Sequence, residues 1–102
     1  MLKFGLTNGV IEVLRNYFNS IDELSQVKIF GSRATNTFNN GSDIDFALFS
    51  KTGVSLDLML ISKIKIELDE LMTPYYFDVV DYFALENQDL ICHIDTHGVV
   101  FD

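Results

Sequence analysis

Two segments of the chain carry apolar residues at the spacing of an amphipathic α-helix. The first has apolar residues at Val10, Ile11, Leu14 and Phe18. Thr7 or Asn8 is available as its N-cap. In the second segment the apolar residues recur at intervals of three or four positions, at Leu56, Leu60, Ile64, Leu68 and Leu71. Ser55 or Asp57 can cap this second helix, and Pro74 ends it. Each predicted helix therefore presents one apolar face to a core.

Runs of β-branched and aromatic residues predict the strands. These runs are VKIF at 27–30, DIDFALF at 43–49 and YYFDVVDYF at 75–83. A short helix is predicted over 32–38, and the turn signal NNGS follows at 39–42. A last helix over 86–97 ends at Gly98, and a short final strand is predicted over 99–101. Strands separated by helices predict an α/β or α+β fold, in which a mixed β-sheet is flanked by helices.

Length and composition indicate one domain that spans residues 1–102. The chain has 102 residues, of which 48% are hydrophobic, and this suits a single modest core. Its formal net charge is −8 and its lysines and arginines form no cluster, so direct nucleic-acid binding is not expected. The acidity instead favours a cationic partner, or metal ions that offset a group of carboxylates.

Cysteine content and the first residues predict a cytoplasmic location. Cys92 is the only cysteine, so an intrachain disulfide is impossible. Residues 1–10 lack the apolar run of a signal peptide, and no stretch reaches the roughly 18 apolar residues of a membrane span. We therefore expect a cytoplasmic protein without a membrane partner.

The segment from Gly31 to Phe46 carries the residues with the clearest chemical meaning. Gly31 and Ser32 lie where a predicted strand ends and a predicted helix begins. Glycine permits close approach of the backbone to a phosphate, and free N–H groups at a helix start favour an anion. The Ser32 hydroxyl adds a donor, whereas Arg33 is either a phosphate contact or a solvated helix residue. Because most Gly-Ser pairs are ordinary turns, this pair gains its meaning from the carboxylates that follow.

Asp43 and Asp45 form a pair of carboxylates in the next predicted strand. Residues two apart in a strand point to the same face, so both side chains can reach one metal ion. Aspartate is a poor strand former and like charges repel, so a divalent cation would offset the cost of this arrangement. Magnesium is the natural candidate, since it takes oxygen ligands and shares them with substrate phosphates. The alternative is a solvated edge strand or a turn, where aspartate is common.

A third carboxylate is expected from the strand FDVVD, which offers Asp78 and Asp81. Three carboxylates can hold two metal ions about 4 Å apart, the arrangement used for in-line phosphoryl chemistry. Asp78 and Asp81 are three positions apart and would point to opposite faces of the strand. Only one of them can therefore share a site with Asp43 and Asp45.

The segment GSRATNTFNNGSDID resembles the signature of the polymerase-beta-like nucleotidyltransferase superfamily, which is Gly-Ser, ten residues and then Asp-x-Asp. The short chain, the later FDVVD and the final HGVVF are similar to the minimal nucleotidyltransferases, or MNT proteins. This resemblance implies the polymerase-beta-like nucleotidyltransferase fold, with ATP as substrate and two Mg²⁺ ions. It implies that Gly31 and Ser32 bind the triphosphate and that Asp43 and Asp45 bind metal. It also implies that Asp78 completes the site and helps to activate the acceptor hydroxyl.

The same resemblance implies a partner. Many MNT proteins are encoded beside a HEPN-domain protein and act as its antitoxin, some of them by adenylylating it. The expected reaction is therefore transfer of AMP from ATP to a hydroxyl of a HEPN-type toxin. Two alternatives stay open: an antitoxin that acts by contact alone and keeps a relic site, and a small-molecule enzyme like those that modify aminoglycosides.

Cys92, His93 and His97 raise the question of a zinc site, because two histidines four positions apart share a helix face. No further ligand set at typical spacing accompanies them, and a histidine near a helix C-terminus is favourable by itself. We therefore predict that these residues bind no zinc.

Overall fold

A sheet of four strands organises the fold in the computed structural model, which describes residues 3–39, 41–71 and 73–101. The elements in chain order are α1 (Asn8–Asn19), β1 (Leu24–Phe30), α2 (Ser32–Thr35), β2 (Ile44–Ser50), α3 (Leu58–Glu70), β3 (Phe77–Asp81), α4 (Gln88–His97) and β4 (Val99–Val100). The strand order is β3-β2-β1-β4. β2 and β3 are parallel, whereas β1 is antiparallel to β2 and to β4. The predicted mixed sheet flanked by helices is confirmed.

α1 and α3 pack on one face of the sheet through the apolar positions that predicted them. Leu14 and Phe18 of α1 are buried, as are Ile64 and Leu68 of α3. They form one cluster with strand residues that include Val27, Ile29, Ile44, Phe46 and Leu48. Full burial of such a side chain contributes roughly 1.5–3 kcal/mol relative to exposure. This cluster therefore decides which face of each strand points towards α1 and α3.

α4 covers the opposite face of the sheet. The smaller cluster beneath it contains Phe30, Ala47, Phe49 and Ile94. Since residues two apart in a strand lie on the same side, Asp45 shares this face with Ala47 and Phe49. One carboxylate therefore stands at the start of β2, on the side of the sheet that α4 covers.

The ends of the helices follow local chemistry. The Thr7 hydroxyl accepts from the N–H of Val10, and the Asp57 carboxylate accepts from the N–H of Met59. Gly98 is the C-cap of α4, as predicted. Within the described ranges, no helix has the length and apolar character that a membrane crossing requires.

Several elements differ from the sequence prediction, and β1, for example, begins at Leu24 rather than at Val27. Leu56 and Leu71 lie outside α3, because the Asp57 cap starts the helix late and the chain turns extended at Leu71. β3 is shorter than the predicted strand, since a 3₁₀ turn over Tyr82–Ala84 replaces its end. The predicted helix after Gly31 is limited to one turn, because Asn36 adopts the left-handed conformation that ends it. Part of the predicted turn at 39–42 lies outside the described residues, namely residue 40.

Candidate active site

Gly31 and Asp45 lie against each other where β1 runs beside β2. Phe30, the last residue of β1, is the register partner of Asp45. A Cβ atom at position 31 would overlap Oδ2 of Asp45. Gly31 also has a φ of +74°, which side chains other than glycine rarely tolerate. Both facts restrict the position to glycine, and Ser32 begins α2 directly after it.

Asp78 is the third member of this group. It is the direct register partner of Asp45 in the parallel pairing of β2 with β3, so the two side chains leave the sheet on the same face. Asp43 lies one residue before β2 rather than inside it, which corrects the predicted strand position. The strand starts only at Ile44, whose N–H donates to the carbonyl of Tyr76 at 2.9 Å. Asp43 and Asp78 are exposed, whereas Asp45 is half-buried.

Asp45 has an altered acidity in this environment. Burial raises the pKa of Asp45 to about 6, and the negative charges of Asp78 and Asp43 add to this effect. The positive charge of Arg33 acts on the pKa of Asp45 in the opposite direction. The carboxylates of Asp43, Asp45 and Asp78 are therefore near enough to repel one another, which disfavours their simultaneous ionisation.

A divalent cation suits this donor set. Carboxylate oxygens are the ligands that magnesium prefers, and a cation would relieve the repulsion that helps to raise the pKa of Asp45. Across the described ranges, however, no three His, Cys, Asp or Glu side chains are arranged so that they could hold a metal ion together. The charges of Asp43 and Asp78 raise the pKa of Asp45, although the three carboxylates do not surround one common point. The residues therefore fit magnesium by their chemistry and do not form a preassembled cage.

Arg33 has a structural role and is not the solvated helix residue that the sequence offered as an alternative. Its side chain is only 3% exposed. Nε and Nη2 donate to the carbonyl of Ser42 at 3.3 and 3.0 Å, and Nη1 donates to the carbonyl of Phe4 at 2.9 Å. The guanidinium also lies 5.0 Å from the ring centroids of Phe38 and Tyr75. Because these contacts occupy it on several sides, Arg33 holds the loop that leads to β2, and its contact with phosphate stays a prediction.

Asp81 points to the other side of the sheet. Its Oδ2 atom accepts from the N–H of Leu56 at 2.6 Å. Val79, two positions earlier in β3, belongs to the cluster beneath α1 and α3. Asp78 and Asp81 therefore lie on opposite faces, as their spacing predicts, and Asp81 anchors the segment before α3.

His93 also lies in this region, although no pattern in the sequence predicts it there. The N–H of Gly31 donates to Nε2 of His93 at 3.0 Å, across 62 positions of sequence. Local spacing relates His93 only to Cys92 and His97, for which no zinc site is predicted, and its position near a helix C-terminus is favourable by itself. A contact between distant segments leaves no local signal, and only the packing of α4 on β1 reveals it.

The comparisons with known proteins identify the family and the fold of the chain. The family described as polymerase beta, nucleotidyltransferase matches residues 12–101. No match to the chain is found among curated proteins. A solved structure of a toxin–antitoxin with AMP-PNP has a TM-score of 0.71 and 22% identity, over 94% of this chain and 73% of that chain.

Two further solved structures are also similar. A mutant of the toxin–antitoxin MntA-HpeT has a TM-score of 0.65 and 26% identity, over 91% of this chain and 68% of that chain. The toxin–antitoxin MntA-HepT has a TM-score of 0.61 and 23% identity, over 93% of this chain and 68% of that chain. The resemblance to MNT proteins is confirmed by these neighbours, and the family match covers most of the sequence. The chain therefore belongs to the polymerase beta nucleotidyltransferase family.

Proposed function

We propose that this protein transfers AMP from ATP to a hydroxyl group of a partner protein, and that the partner is a HEPN-type toxin which this transfer neutralises. The observation that carries the proposal is the contact of Gly31 with Asp45 together with the pairing of Asp45 with Asp78. A turn with a hydroxyl donor, beside carboxylates from two neighbouring strands, is the set of groups that metal-dependent phosphoryl transfer uses.

In the proposed reaction the oxygen of the acceptor hydroxyl forms a bond to the α-phosphorus of ATP, and the bond from that phosphorus to pyrophosphate breaks. Asp78 accepts the proton of the hydroxyl as general base. Ser32 donates a hydrogen bond to the triphosphate. Asp43, Asp45 and Asp78 would hold magnesium, which would neutralise charge on the phosphate oxygens and on the leaving pyrophosphate.

The order of the strands supports one orientation of ATP and the acceptor in the site. Ser32 follows β1 and Asp78 belongs to β3, with β2 between them. In-line displacement needs the attacking and leaving oxygens on opposite sides of the phosphorus. We therefore expect the pyrophosphate end of ATP near Ser32 and the acceptor hydroxyl at the β3 edge. Two exposed residues, Asp78 and the 77% exposed Tyr76, belong to that edge.

Two features support a protein as the acceptor. Solved structures that resemble this chain include toxin–antitoxins, one of them with AMP-PNP. The formal net charge of −8 also favours a partner with a cationic surface, because complementary charge speeds and orients association. Both features suit an antitoxin that meets a basic toxin and modifies it.

The test is incubation of the purified protein with ATP, magnesium and a purified HEPN-type partner, followed by intact-mass measurement. We expect the partner to gain one or more AMP units. The double variant Asp43→Asn with Asp45→Asn should give no gain, because its carboxylate charges are removed. A stable complex without any mass gain would favour the contact-only antitoxin. Adenylylation of an aminoglycoside, with none of the protein, would favour the small-molecule enzyme.

A further inference from the structure

His93 connects α4 to the turn that follows β1. It is half-buried, and its ring packs edge-on against Phe30 with the centroids 6.1 Å apart. Its neighbour Ile94 is fully buried in the cluster beneath α4, so the helix is fixed on the sheet at this point. The hydrogen bond from the N–H of Gly31 to His93 therefore joins two elements that the core already holds.

The carbonyl of Gly31 is fixed as firmly as its N–H. The N–H groups of Ala34 and Thr35 donate to it at 3.1 and 3.2 Å. Gly31 thus has one defined partner on α4 and others within α2. Because Gly31 also abuts Asp45, a rotation of either of its peptide groups would displace Asp45 or Ser32.

We propose that His93 is a positioning residue of the nucleotide site. It holds the Gly31 turn through Nε2, so that Ser32 and Asp45 keep their relative position, and the N–H of Gly31 is not a ligand of the triphosphate. This inference rests on the proposed function, in which Ser32, and not the N–H of Gly31, contacts the triphosphate. It also requires a His93 ring with its proton on Nδ1, because the nitrogen that accepts a hydrogen bond carries no proton.

The contact itself can be tested without any nucleotide. In a buffer of about pH 8, nitrogen chemical shifts of His93 should report the proton on Nδ1. Replacement His93→Leu should shift the amide signal of Gly31 and speed its hydrogen exchange by about tenfold. The matched control His97→Leu removes the exposed histidine one turn along α4, whose ring centroid is 5.3 Å from that of His93, and should leave the hydrogen exchange of the Gly31 amide unchanged because the acceptor remains. A proton found on Nε2, or an unchanged Gly31 amide in His93→Leu, would overturn the contact.

The consequence for the ligand is measured by titration with AMP-PNP and magnesium. We expect His93→Leu to weaken binding about tenfold, the loss typical of one neutral hydrogen bond. His93→Gln, which keeps an acceptor at nearly the same reach, should bind within about threefold of the wild type. His93→Asn is too short to reach Gly31 and should resemble His93→Leu, so it serves if the leucine variant fails to fold.

The outcomes separate this inference from the proposed function. A wild type that binds no AMP-PNP would overturn the proposed function and the role of His93 in ligand binding together. A wild type that binds, with His93→Leu and His93→Asn equal to it, would overturn only the inference. Tighter binding by these variants would also overturn it, because the freed N–H of Gly31 would then be a phosphate ligand.

Discussion

Asp45 and Asp78 are register partners in the parallel pairing of β2 with β3, and the charge of Asp78 helps to raise the pKa of Asp45. Asp45 is half-buried and abuts Gly31, whereas Asp78 is exposed. The pair therefore consists of a partly desolvated carboxylate, Asp45, and an exposed carboxylate, Asp78, that a substrate can reach. Such an arrangement costs stability in the metal-free protein, and costs of this kind are concentrated at functional sites.

The first prediction concerns the dependence of stability on pH. Asp45 holds its proton more tightly in the folded chain than at its ordinary pKa of 3.8, so its contribution to stability is complete below about pH 4 and is lost as the pH rises through about 6. Asp45→Asn is neutral at every pH and escapes this loss. At about pH 7.5 the metal-free variant should be about 1 kcal/mol more stable than the wild type, after allowance for solvent screening.

Urea unfolding of both proteins in the presence of a chelator at several pH values measures this difference. We expect the two curves of unfolding free energy against pH to meet near pH 4, within about 0.5 kcal/mol. A variant much less stable than the wild type at neutral pH would show that Asp45 is a structural residue.

Much of this fold is predictable from the sequence, because its elements rest on local patterns. The apolar spacing around Leu14 and Leu68 defines α1 and α3, since each face is buried on the sheet. Turn and cap chemistry at Asp57 and Gly98 is local as well. The order β3-β2-β1-β4 is not predictable in this way, because it depends on pairing between distant segments.

The candidate site also contains residues that local patterns predict and residues that depend on contacts between distant segments. Strand periodicity predicts that only one of Asp78 and Asp81 can join Asp45, the family resemblance selects Asp78, and the register agrees with that choice. The role of Arg33 does not follow, since its burial depends on Phe4 and Tyr75, which lie 29 and 42 positions away from it in the sequence. The contact of His93 with Gly31 is equally invisible to local patterns.

The second prediction concerns magnesium. Added magnesium should raise the melting temperature of the wild type at neutral pH, because a ligand that binds only the folded state stabilises it. It should not raise that of the double variant Asp43→Asn with Asp45→Asn. In the transfer assay Asp43→Asn alone should lose at least about a hundredfold in rate, on the order of 3 kcal/mol in the barrier. Near-normal transfer by the double variant would contradict the metal hypothesis.

The third prediction concerns Arg33. Arg33→Met keeps most of the side-chain volume but leaves the carbonyls of Ser42 and Phe4 without their donor. We expect a loss of about 2–3 kcal/mol in the free energy of unfolding by urea. Lys51→Met, an exposed charge removed in the same way, should change it by less than about 0.5 kcal/mol. Normal stability with weakened binding of AMP-PNP would instead support the phosphate contact expected from the sequence.

The fourth prediction concerns the acceptor side of the site. Tyr76 is 77% exposed and directly precedes β3, two positions before Asp78. Tyr76→Ala should raise the KM for the partner protein by about tenfold, because an exposed aromatic ring at an interface often contributes 1 kcal/mol or more. The affinity for AMP-PNP should stay unchanged. Leu58→Ala on α3, where the side chain is 81% exposed, is the matched control and should alter neither value. An equal KM for wild type and Tyr76→Ala would place the acceptor elsewhere.

The last prediction distinguishes the two aspartates of β3. Asp78 is the register partner of Asp45, whereas Asp81 pairs with Leu48 and binds the N–H of Leu56. Asp78→Asn should abolish transfer, since an amide cannot take the proton of the acceptor hydroxyl. The Asp78→Asn variant should still bind AMP-PNP with magnesium, because Asp43 and Asp45 remain as ligands for the metal ion.

Asp81→Asn keeps an oxygen acceptor for the N–H of Leu56 and should retain both transfer and stability. Asp81→Ala removes that acceptor and should cost about 1–2 kcal/mol in unfolding free energy, again with normal transfer by the folded protein. Substitution of Asp78 should therefore lower the transfer rate, whereas removal of the Asp81 acceptor should lower the free energy of unfolding. Transfer assays and urea unfolding measure these two effects independently. If Asp81→Asn were inactive and Asp78→Asn transferred normally, the reactive face of the sheet would be the one that α1 and α3 cover, and the site built around Gly31 and Asp45 would be wrong.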